Sequence, residues 1–190
     1  MKKTLTIILA FALVIAMSVA GTVAYLTSQD SVANTFTVGK VKITLDEAKV
    51  DTNGAAVTPA ERVKANSYKL IPGHTYTKDP IIHVDANSEK CWLFVKVENG
   101  ISAIEDSTNN IAAQLATNGW SAVTGAAGVY AYKQSVAGGT NVPVFGSFQI
   151  AGDADVANYA NATVVVTAYA VQADGFDTAA AAWTASGFRA

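Results

Sequence analysis

Few side chains in this 190-residue sequence are of the types that carry acid–base, nucleophilic or metal chemistry. Its two histidines are His74, in "PGHTYTKDP", and His83, in "IIHVDA". A zinc protease sets two imidazoles one helical turn apart around a glutamate, as HExxH, and neither histidine belongs to that pattern. Cys91 is the single cysteine, so it forms no intramolecular disulfide. A nucleophilic thiolate needs a neighbouring base, and nothing next to Cys91 in the chain supplies one. Within "KCWLFVKVE" it shares the phase of Leu93, Val95 and Val97, which predicts a small buried thiol in a strand. The alternative is an exposed thiol that crosslinks chains. Asp153 and Asp155 in "GDAD", and Asp85, Asn87 and Glu89 in "DANSE", set oxygen atoms at alternate positions, as some calcium loops do. Both stretches lack the rest of such a loop, and Asp, Asn and Ser are ordinary turn residues. Asn161 in "NAT" fits the glycosylation acceptor pattern. No glycine-rich phosphate cradle is present. These residues predict no catalytic centre, no metal site and no cofactor.

The elements that would position them read as strands. The body of the chain is rich in Ala, Val, Thr and Gly and poor in charge, which suits strands joined by short turns. Seven candidates stand out: "TFTVGKVKITLD", "SYKLIPG", "DPIIHVDA", "KCWLFVKVE", "GVYAYKQ", "VPVFGSFQI" and "NATVVVTAYAVQAD". The last is the most apolar, which predicts a central strand. Trp92, Phe94, Tyr130 and Tyr132 alternate with other residues and read as sheet-face packing. "DSTNNIAAQLATNGW" predicts a short helix with Ile111 and Leu115 on one face and Gly119 stopping it. "FDTAAAAWTASGF" predicts a closing helix, with Asp177 or Thr178 as N-cap, Trp183 as anchor and Gly187 beyond its end. Residues 47–66 show neither period and read as a long surface excursion. The expected fold is an all-β, jelly-roll-like two-sheet sandwich with one or two short helices.

Residues 1–24 have the form of an export signal: Lys2 and Lys3, then the apolar "TIILAFALVIAMSVA". Ser18-Val19-Ala20 and Thr22-Val23-Ala24 both fit the small-residue cleavage rule. Cutting at Ala24 would leave Tyr25 as the new N-terminus. The rival is an uncleaved anchor, because the 20 residues from Ile7 to Leu26 carry no charge. Loss of Lys2 and Lys3 leaves 11 basic and 15 acidic residues, a net charge of about −4. With no basic run left, nucleic acid is not an expected partner. A type IV pilin is disfavoured too, since its apolar helix would follow the cleavage site and remain on the protein. The expected organisation is a signal peptide at 1–24, an N-terminal segment at 25–38 and one domain at 39–190, exported and secreted.

The segment after the signal has its own pattern. Leu26, Val32, Phe36 and Val38 share one parity, whereas Val41, Ile43 and Leu45 share the other. Strand side chains change face at every residue, so both sets face one core only if the chain shifts phase between them. Gly39 is placed for that break and is the expected hinge.

The sequence resembles the TasA/camelysin family of secreted proteins. The most specific block is "GTVAYLTSQDSVANTFTVGKVKITL": a small-residue signal end, an aromatic start, a short polar run, then "NTF-x-x-G" leading into an alternating strand. "LIPGHTYTKDPIIHVDANSEKCWLFVKVE" and "AYAVQADGFDTAAAAW" are similar to that family's proline–glycine turn, its following long strand and its strand-to-helix close. The resemblance spans nearly the whole chain, residues 47–66 excepted. It implies export through a dedicated signal peptidase and a jelly-roll-like sandwich that polymerises into extracellular fibres of a biofilm matrix or cell surface. It further implies donor-strand exchange, in which Tyr25, Leu26, Thr27, Ser28, Gln29, Asp30, Ser31 and Val32 of one copy complete a sheet of the next. The implied partner is the chain itself, with room for an accessory matrix or anchoring protein. Some members carry a metalloprotease label, for which this sequence has no zinc motif.

A donor strand of about ten residues would form roughly 8–10 hydrogen bonds at ~1 kcal/mol net each. Two or three apolar anchors add about 1.5–3 kcal/mol apiece, and ordering the backbone costs about 10–20 kcal/mol. The sum is near zero, so such a strand must find a preformed groove that loses apolar surface when filled. Two other readings stay open: a monomeric exported or membrane-anchored sandwich that binds glycan or a surface protein, and a secreted protease.

Overall fold

The alternation Ile43, Leu45, Glu47 opens the first strand of the computed structural model, β1 (Ile43–Ala48), which describes residues Gly39–Arg189. The export signal, Ala24 and Tyr25, the donor residues Tyr25–Val32, and Phe36 and Val38 lie outside the described residues. β1 pairs with β2 (Arg62–Val63) on one side and with β4 (Ile81–Val84) on the other, and β4 pairs with β8 (Asn141–Pro143). A second sheet runs in the order β10 (Val164–Gln172), β5 (Cys91–Asn99), β7 (Val129–Tyr132), β6 (Trp120–Ala122). A short ribbon joins β3 (Thr75–Thr77) to β9 (Ser147–Gln149). Every pairing is antiparallel, and the chain crosses repeatedly between the sheets, giving an all-β sandwich with two short helices.

The main core lies between the sheets. Ile82, Val84 and Val142 face Leu93, Val95 and Val97, with Tyr76 and Phe148 of the ribbon closing one side. Helix α1 (Ile111–Thr117) adds Ile111 and Leu115, both buried as their spacing predicted. Asn110 caps it by accepting the Ala113 N–H at 2.8 Å, and Glu105 accepts the Ile111 N–H at 3.0 Å. Helix α2 (Ala179–Ser186) is capped by Thr178 and ends at Gly187 in the left-handed region, φ 71°. Its Ala182 and Trp183 cover Phe94, Val129 and Tyr169 on the outer face of the second sheet. That sheet is therefore covered on both faces, which is why β5 reads as a near-continuous apolar run.

Three expectations change. "SYKLIPG" is not a strand: the Lys69 N–H donates to Thr52 O at 2.7 Å, and the Tyr76 hydroxyl accepts from the Ile71 N–H while donating to Lys69 O. These tertiary bonds replace a ladder. "VPVFGSFQI" breaks into β8 and β9 because Val144 and Phe145 are both fully buried, so alternation fails where the chain turns between sheets. "NATVVVTAYAVQAD" does form the long strand β10, but at the edge of its sheet rather than the centre.

Candidate functional site

The histidines and the cysteine are not brought together. His74 Nε2 lies 2.8 Å from Asn53 O, with its ring edge-on to Tyr76. His83 sits on β4, its Nδ1 2.8 Å from Asn141 Oδ1 and its Nε2 2.9 Å from Asp46 Oδ1. Arg62 joins the same cluster, donating to Asp46 and to Asp79. Burial alone would raise the Asp46 carboxyl, but hydrogen bonds from Arg62 and His83 outweigh it and hold Asp46 below the usual range. The cluster rivets β1, β2 and β4, so residues 47–66 are tied down at both ends. Cys91 is fully buried in phase with Leu93, Val95 and Val97, and burial pushes its thiol up to about 11. At 0% exposure it is out of reach of a second chain's thiol while the domain is folded.

The carboxylate runs are turns. Asp85 accepts the Asn87 N–H at 2.9 Å and the Lys42 ammonium at 3.0 Å, and Asp155 accepts the Ala157 N–H. Among the described residues, no three His, Cys, Asp or Glu side chains converge on a point that could hold a metal ion. Gly39 has no left-handed backbone, and a Cβ there would come within 3.0 Å of the Glu89 side chain.

A groove of about 990 Å³ is lined by residues of β1 and β10. One wall is β10. The Gly100 N–H donates to Thr163 O at 2.9 Å and the Ala173 N–H to Lys90 O at 2.7 Å. Odd-numbered peptide groups of β10 thus face β5, and those of Val164, Val166, Ala168 and Ala170 face outward along an edge with no strand partner among the described residues. The side chains of the same four residues pack against the main core yet stay only half-buried. The other wall carries β1 and residues 64–70. β2 covers only Glu47 and Ala48 of β1. The Lys49 N–H donates to Glu61 O at 2.9 Å, so by alternation the odd peptide groups of Ile43 and Leu45 turn toward the groove. The Lys64 ammonium donates to Leu45 O there. Ile101, Phe148 and Tyr68 supply apolar lining.

One ion pair lines the groove: Lys78 Nζ lies 2.6 Å from Glu47 Oε2, both residues under a tenth exposed, and Asn66 donates to Glu47 Oε1 at 3.1 Å. Burial, reinforced by the Glu47 charge, raises the Tyr68 phenol far above its ordinary value, so it stays a neutral donor, bonding Thr77 O at 3.0 Å. Sequence reading passed over this pair, although Glu47 shares the parity of Val41, Ile43 and Leu45 and was bound to point inward. The groove offers what an extended peptide takes up: two strand flanks with unpaired backbone groups, apolar floor positions and charged rims. The chain matches no family model, no curated protein sequence and no solved structure.

Proposed function

We propose that this chain is a secreted structural subunit of an extracellular fibre, in a biofilm matrix or on a cell surface, as its resemblance to the TasA/camelysin family implies. It assembles head to tail, residues 25–38 of one copy lying along the free edge of β10 in the next. The observation that carries this reading is the mismatch in β10. Val164, Val166, Ala168 and Ala170 are core-grade side chains left half-buried on a nine-residue strand at the edge of its sheet, and Val164–Val166 line the groove. Long apolar edges are normally blunted or covered. A strand laid there would bury them and supply the apolar gain that the donor needs. Leu26 and Val32 would enter the groove with Tyr25 capping it. Each subunit would give one strand and take one, and a contact of that kind does not close on itself but propagates.

Electron microscopy of the secreted, processed protein, concentrated without denaturant, is the test. Filaments with a regular repeat are expected, and deleting Tyr25–Asn34 should abolish them. Ala168→Pro should abolish them too, because its N–H faces the free edge and the ladder to β5 survives. Uniform monomers from the intact processed protein would end this reading and favour a binding module whose groove takes a different extended peptide.

A further inference from the structure

The groove contains a feature that the fibre reading does not require but that bears on how a strand is chosen. Leu45 O is an edge carbonyl with no backbone partner among the described residues, and the Lys64 ammonium donates to it. A lysine on an open strand flank is a common way to keep that flank from pairing with the wrong chain. Lys69 stands exposed on the same wall with no ion-pair partner among the described residues, whereas Lys78 is already committed to Glu47. On the other side of the contact, Asp30 is the only charged residue between Thr4 and Gly39. It shares the parity of Leu26 and Val32, so a strand that turns those two side chains into the groove turns Asp30 in as well. An inward carboxylate is costly unless a cation meets it.

We infer that Lys64 is a guard that changes partner, and that it selects the incoming strand. In the free subunit it caps Leu45 O and blunts the β1 flank. When residues 25–38 of a second copy enter, Lys64 releases that carbonyl and pairs with Asp30, while Leu26 and Val32 fill the apolar floor. An extended segment lacking an acid at this position leaves Lys64 on the carbonyl and finds the flank closed. The inference rests on the fibre reading and adds to it a named pair that sets specificity.

The experiment follows elongation of the processed full-length protein by light scattering and microscopy, with circular dichroism on each variant to confirm folding. Asp30→Asn should slow elongation about tenfold at low salt, with the gap closing near 0.5 M salt as the pair is screened. Asp30→Lys and Lys64→Glu should each stop it, and the chain carrying both exchanges should recover most of the rate. Lys69→Gln should change it less than about twofold. Elongation of Asp30→Lys at the normal rate, or a double exchange as inert as Asp30→Lys alone, would overturn the Lys64–Asp30 pair while leaving the fibre reading intact. Intact protein that never elongates, with or without Tyr25–Asn34, would overturn both.

Discussion

Among the described residues, Glu47 and Lys78 are the two charged side chains that the fold takes out of water, at 4% and 9% exposure. Each is tolerable only because the other, with Asn66, satisfies it. Lys78→Met should therefore cost about 3–5 kcal/mol by urea unfolding, since it strands a buried carboxylate. Changing Glu47→Leu in the same chain should restore most of that loss; a Lys78→Met chain as stable as the parent would mean the pair is wetter than its geometry indicates. At this scale the sequence was only partly legible. The phase of Cys91 with Leu93, Val95 and Val97 foretold its burial, because strand alternation is local. The partners of His83 did not show, since Asp46 and Asn141 reach it from 37 and 58 residues away through strand pairing.

Among the elements, the closing helix was readable in advance: Thr178, Trp183 and Gly187 take their expected positions because capping and anchoring are short-range devices. What it covers was not readable. Trp183 stands 5.1 Å from Phe94 and 5.8 Å from Tyr169, centroid to centroid, so α2 is the outer cover of the second sheet. Trp183→Ala should cost about 3–5 kcal/mol and expose Phe94 to solvent. Near-ultraviolet circular dichroism and urea unfolding check it, and a loss below about 1 kcal/mol would mean that α2 is a loose appendage. β10 teaches the complementary lesson. An apolar run on both faces says that both faces want cover, and it was read as a central position. One face has α2 over it and the inner face has the core, yet among the described residues the outer edge has no strand beside it. Hydrophobicity reports faces; it does not report which edge is paired.

For the molecule as a whole, the fibre reading makes the groove an acceptor whose occupant can be offered separately. A synthetic peptide of residues 25–38, added to the variant lacking Tyr25–Asn34, should stabilise it by about 2.7 kcal/mol at a hundredfold excess over Kd. That is a rise in Tm of roughly 5–10 °C for a domain of this size. The same peptide should cap growing fibres of the intact protein. A melting curve that does not move with peptide would count against the groove as its seat. The two-sheet architecture itself was legible, because Val, Thr and Gly patterning reflects strands wherever they pair. The pairing order was not, because contacts such as β1 with β4 join residues nearly forty apart.

The order of elements along the chain sets a timetable. Among the described residues β10 is the tenth of ten strands and is followed by α2. A ribosome releases residues 25–38 well before this edge. Until Gln172 has emerged, no groove exists for any strand to occupy. In the fibre reading, the donor residues of a subunit are therefore made well before its own groove can form, a delay set by the order of the elements along the chain.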